Sequence, residues 1–136
     1  PFWAAGIKID RISPDFREID VSMKLGVKNA NIVGTHFGGS LYSMTDPFYM
    51  VMFMQNLGKD YIVWDKSAAI DFKKPGRGTV YAKFRLSEDD INHVIEKMES
   101  HEKGKTLWQK QVQVEDASGQ VIALVDKVIY LRKKQR

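Results

Sequence analysis

The sequence predicts an α+β fold, an antiparallel sheet of about five strands covering one long buried helix. Three observations predict it. Several segments alternate apolar and polar residues with the period of two that marks a half-buried strand. One segment, Gly39–Leu57, is apolar nearly throughout, so a helix there must be buried on most of its sides. The order of elements is strand, long helix, two strands, short amphipathic helix, two strands.

Each element has its own signal. Ile7–Asp15 is short and mixed, strand or coil. Ile19, Val21, Met23 and Leu25 alternate as a strand, and Lys28–Thr35, with Asn29, Asn31 and Gly34, is a loop. The buried helix carries Met44, Phe48, Met50, Met52, Phe53 and Met54, and Gly58 is placed to stop it. Proline disfavours helical backbone in the residue before it, so Asp46-Pro47 can break this helix and restart it. Tyr61–Lys74 is a long strand with Ile62, Trp64, Ala68, Ile70 and Phe72 on one face. The turn Lys73–Gly78 then returns into Val80, Ala82, Phe84 and Leu86, which predicts a hairpin. Ser87 caps a helix with an acidic first turn and an apolar stripe of Ile91, Val94, Ile95 and Met98. Lys105–Glu115 and Val121–Arg132 form a second hairpin about Asp116–Gly119. Val121–Val125 is apolar without alternation, so it is expected to be covered on both faces. One helix cannot cover both faces of the sheet, and a partner subunit is expected.

Composition narrows the function. With 136 residues the chain is expected to be one domain over 1–136, large enough for a real core. It contains no cysteine, which excludes disulfides, thiolate zinc sites and cysteine nucleophiles and suits a cytoplasmic location. No apolar run reaches the ~18 residues of a membrane span, and the first ten residues do not read as a secretory signal. The net charge of +4 lies largely in Arg132–Arg136, read as a solvated end rather than a nucleic-acid surface. A modest positive field still favours an anionic ligand such as a phosphorylated cofactor. Three scattered histidines, His36, His93 and His101, match no metal-ligand spacing, so no metal is expected.

The chemistry concentrates between Gly34 and Pro47. A glycine pair, Gly38-Gly39, opens the long helix, where unpaired N–H groups can face an oxyanion. Asp46 follows seven residues later and is a candidate general base or nucleophile. In one continuous helix those seven residues rise roughly 10 Å, too far for both groups to serve one carbonyl. The spacing therefore points to Gly39 of one chain working with Asp46 of another. Asp46-Pro47 is equally the preferred N-cap and N1 pair, and that reading stays open beside the catalytic one.

Asn31, Gly34, His36, Gly38-Gly39 and Asp46 resemble the motif of the phenylacetyl-CoA-type acyl-CoA thioesterases. Phe37 between the histidine and the glycine pair, and Pro47 after the acid, are differences from that pattern. The strings Gly34–Phe48, Tyr61–Lys66 and Lys74–Tyr81 are similar to an uncharacterised bacterial branch of thioesterase-like hot-dog proteins, over about Phe2–Lys133. The resemblance implies a hot-dog fold and hydrolysis of acyl-CoA or related thioesters at a dimer interface. It implies no cofactor beyond the coenzyme A of the substrate, and a homodimer, with a tetramer left open. A non-catalytic acyl or lipid-like ligand binder is the alternative. As substrate-binding candidates we take Asn31, His36, Gly38, Lys74 and Arg77. Asn31 can orient a substrate or cap its loop; His36 can be a turn residue. Lys73, Lys74 and Arg77 can meet coenzyme A phosphates or simply be solvated turn charges. The methionines can fill core gaps or form an acyl pocket wall. Asp65 and Asp71 receive no role from the sequence.

Overall fold

The structure, a computed structural model, describes residues 6–24 and 38–135. Among them six strands and three helices follow in the order β1 (Ile7–Ile12), β2 (Glu18–Lys24), α1 (Gly38–Ser43), α2 (Phe48–Leu57), β3 (Tyr61–Phe72), β4 (Thr79–Arg85), α3 (Glu88–Ser100), β5 (Lys105–Asp116) and β6 (Val121–Lys133). The strands form a single antiparallel sheet in the order β1-β2-β4-β5-β6-β3. The count is six rather than five because the mixed segment at Ile7 pairs along β2, burying only Ile7 of its own residues.

The predicted hairpin of β3 with β4 does not form. β3 pairs with β6 on one edge of the sheet, while β4 lies between β2 and β5. The turn signals of Lys73–Gly78 mark a crossing loop instead. Six residues reach up to ~20 Å, enough to step the ~14 Å of three strand spacings. The second hairpin, β5 with β6, forms as predicted, and the Asp116 carboxylate accepts from the Ser118 hydroxyl and from the Ser118 and Gln120 N–H groups. Those bonds, the Ser118 hydroxyl first, hold its pKa below the ordinary carboxylate value.

Inward residues of the sheet meet α2 and α3 in the core. Trp108 receives the edges of Tyr49 and Phe53 at 5.0 and 4.8 Å between ring centres, and Phe84 packs on Phe48 and Tyr49. α2 ends on Gly58, whose φ of +86° suits glycine. α3 is held at its start by a reciprocal cap between Ser87 and Asp90 and buries Ile91, Val94 and Met98. His93 and His101 are exposed. Among the described residues no helix is long and apolar enough to cross a membrane, and no cluster could hold a metal ion.

Candidate functional site

The long helix is interrupted where proline predicts it. α1 stops at Ser43, the Thr45 hydroxyl and N–H both donate to the Tyr42 carbonyl, and α2 begins only after Pro47. Pro47 lacks an N–H and its ring disfavours helical backbone at Asp46, so the chain turns instead of continuing. Asp46 is not the cap. Pro47 occupies that position with no side-chain hydrogen bond, and the capping reading of Asp46 is set aside. Freed from that task, the Asp46 carboxylate remains 46% exposed and points toward β6.

There it meets Lys127. Along β6 the inward positions are Val125, Lys127, Ile129 and Leu131, so a lysine stands in the middle of the core stripe. Its side chain is only 1% exposed. Burying an ammonium is costly unless countercharges come with it. Its strand neighbours supply none, since Ala68 and Lys110 stand opposite it on β3 and β5. The countercharges are Asp65 Oδ1 at 3.0 Å and Asp46 Oδ1 at 3.6 Å, with the Tyr42 ring centre 5.6 Å away. Among the described residues neither the Lys127 ammonium nor Asp65 Oδ1 makes a hydrogen bond, despite their 3.0 Å approach. The pair is held by charge with its donors unspent. Three separate parts of the chain thus converge: the helix break, β3 and β6.

Asp65 reaches this cluster because β3 carries a bulge. The register with β6 slips between Asp65 and Ser67, which reverses the inward phase. Val63 and Asp65 point in before the slip, Ala68 and Ile70 after it, while Ile62 and Trp64 face outward. The single apolar face expected from Ile62 to Phe72 is therefore two half-faces. Asp71 faces outward and pairs with Lys73 at 2.7 Å.

The other predicted residues stand apart. Gly38 and Gly39 open α1, a six-residue helix that ends before Asp46, so the two do not share one continuous helix. Lys74 and Arg77 are exposed in the β3–β4 loop. Phe72, which precedes that loop, lies seven residues or ~23 Å along the strand from Asp65. Within one chain the structure does not bring them to Asp46. Asn31 and His36 lie outside the described residues. Lys127 was missed by sequence reasoning, although a lysine in the inward phase between Val125 and Ile129 was the available signal.

The family model for DUF4442, a domain of unknown function, matches residues 1–131. The chain belongs to that family. No curated protein matches this DUF4442 domain in sequence. Among solved structures it is similar to a Pseudomonas aeruginosa protein of unknown function described as a probable thioesterase, with a TM-score of 0.81, 19% identity and coverage of 97% of this chain and 86% of that one. A thioesterase from Haemophilus influenzae matches with a TM-score of 0.68 and 12% identity over 97% and 82% of the two chains. The E. coli PaaI protein from the phenylacetic acid degradation operon matches with a TM-score of 0.64 and 15% identity over 98% and 83%. At these identities the likeness shows the fold, and the DUF4442 domain has the hot-dog fold of these thioesterase-like proteins.

Proposed function

We propose that this protein hydrolyses acyl-CoA or a related acyl thioester in a cleft shared by two copies of the chain. The observation that carries the reading is the Asp46 carboxylate, half-exposed at a helix break, unused as a cap and held beside a buried ammonium. The thioesterase neighbours of the fold support it. In the proposed reaction Asp46 takes a proton from water, and the hydroxide adds to the thioester carbonyl. The N–H of Gly39 receives the oxyanion. The C–S bond then breaks, and the thiolate takes up a proton to leave a free thiol and a carboxylic acid. As a nucleophile, Asp46 would add to the carbonyl directly and the resulting anhydride would then be hydrolysed. A dimer, which two tetramer halves would retain, supplies Gly39 and Asp46 from opposite chains.

A panel of acyl-CoA substrates tests this. Asp46→Asn is expected to lower kcat/KM at least ~100-fold, about 2.7 kcal/mol of transition-state stabilisation. Normal turnover by the variant would refute the role. Mixing Asp46→Asn chains with Gly39→Pro chains tests the shared cleft. Heterodimers rebuild one intact site in two, so roughly a quarter of wild-type activity should return in an equal mixture. Tight acyl-CoA binding without turnover would establish the non-catalytic binder instead.

A further inference from the structure

The outer face of the sheet carries a second set of groups that this hydrolytic chemistry does not use. In the cross-strand register Ile62 stands opposite Arg132, and Arg132 opposite Lys105. One step along, Trp64 stands opposite Tyr130, and Tyr130 opposite Leu107. Two rows result, one cationic and one aromatic, crossing β3, β6 and β5 side by side. Trp64 is 64% exposed and its ring centre lies 6.0 Å from that of Tyr130. Like charges directly opposed on neighbouring strands are destabilising, so the Lys105–Arg132 pair weakens the sheet unless an anion sits between them. Lys103 and Lys134 add two more cations at the same end, and none of the four forms an ion pair among the described residues.

Two hollows open over these rows. One of about 670 Å³ is lined by all four cations, the other of about 450 Å³ by Trp64, Lys66 and Asp65; Ile62, Tyr130 and Arg132 line both. Their sizes suit a bound small molecule.

We infer that this face binds the adenosine bisphosphate end of coenzyme A, the base stacking on Trp64 and Tyr130 and the phosphates lying on Lys105 and Arg132. The identity of the ligand rests on the hydrolase reading; the site rests on the two rows. An aromatic pair beside a cationic pair suits one base and its phosphates, whereas a longer nucleic acid needs a run of stacking platforms. An acidic carrier protein would meet the cations but leave the aromatic row unused. The acyl group is therefore carried by coenzyme A, and its flexible arm passes over the edge strand β3 near the bulge.

Calorimetry with adenosine 3′,5′-bisphosphate on the full chain tests the site directly. Binding is expected to saturate at one molecule per chain and to weaken as salt rises. Arg132→Ala, Lys105→Ala and Trp64→Ala should each weaken it about tenfold with the fold retained, and the two charge removals should leave the melting temperature equal or slightly raised because each relieves the like-charge pair. Absence of binding, indifference to these three substitutions, or equally tight binding of inorganic phosphate would overturn the site. Tighter binding of an acidic carrier protein would overturn the nucleotide assignment. The two readings fail separately. Bisphosphate binding without cleavage of any acyl-CoA retains this site and ends the hydrolase. Turnover that Asp46→Asn abolishes, with a KM that Arg132→Ala and Trp64→Ala leave unmoved, ends this site and retains the hydrolase.

Discussion

Two cations in this sheet each stand between two carboxylates, Arg85 at the surface and Lys127 in the core. Arg85 Nη1 lies 2.7 Å from Asp20 and its Nε 3.4 Å from Glu18, with Arg11 extending the group; its side chain is about two-fifths exposed. Lys127 has a comparable pair of partners at 3.0 and 3.6 Å but almost no contact with water. The distances are alike and the energetics are not. At the surface, water competes for every charge and removing one leaves the others solvated. In the core, removing the ammonium strands a buried carboxylate oxygen, and the loss is several times larger. A fold optimised for stability alone would place a leucine at 127. The lysine there marks the helix break as a place where charge has been kept at a cost.

Substitutions can sharpen or break that contrast. Lys127→Ala should destabilise the protein by about 3 kcal/mol, since Asp65 Oδ1 loses the countercharge 3.0 Å from it and a cavity opens; urea unfolding measures it. A loss like that of a surface pair would mean that water already reaches the cluster. Tyr49→Phe should cost about 1 kcal/mol, because the buried Tyr49 hydroxyl accepts from the Arg85 N–H at 3.3 Å. Burial pushes the Tyr49 pKa up from 10.0 to about 12. The folded state thus holds this proton more tightly than the unfolded one. Tyr49 therefore contributes fully below pH 10, and its contribution is lost as pH rises through about 12. Melting curves across that window should lose part of their slope in Tyr49→Phe. Arg85→Ala should cost about 0.5 kcal/mol, a difference that shrinks further in concentrated salt. Asp46→Asn should shift stability least, by about 0.5 kcal/mol or below, because its carboxylate is nearly half-exposed and 3.6 Å from the ammonium. Its larger effect is expected on turnover, which the acyl-CoA panel reads.

Much of the scaffold was legible from periodicity. The alternation in β2 and β4, the Ser87 cap, the Gly58 stop and the β5–β6 hairpin all depend on interactions within a few residues, which a linear sequence displays directly. The break at Asp46-Pro47 was legible for the same reason. What escaped depends on pairing at long range. The turn residues after Phe72 announce a turn but not which strand follows beside it, so β3 was given β4 as a neighbour instead of β6. The bulge at Lys66 is invisible to a period of two, and without it Asp65 and Trp64 could not be assigned to inner and outer faces. Lys127 was hidden by the rule that lysines are exposed, although its phase in β6 contradicted that rule. The basic residues Arg132 and Lys134 read from the sequence as a solvated end; the structure places them on a hollow beside Tyr130.

The pairing of β3 has a consequence for how the molecule is made. Its hydrogen-bonded neighbour β6 begins at Val121, long after β3 ends at Phe72, so this edge must wait for most of the chain before it can close. Contacts so distant in sequence slow folding and leave a strand bare meanwhile. Lys127 arrives on that late strand, and with it the countercharge that Asp46 and Asp65 lack until then. A chain stalled before β6 docks would leave β3 with no strand beside it in the sheet.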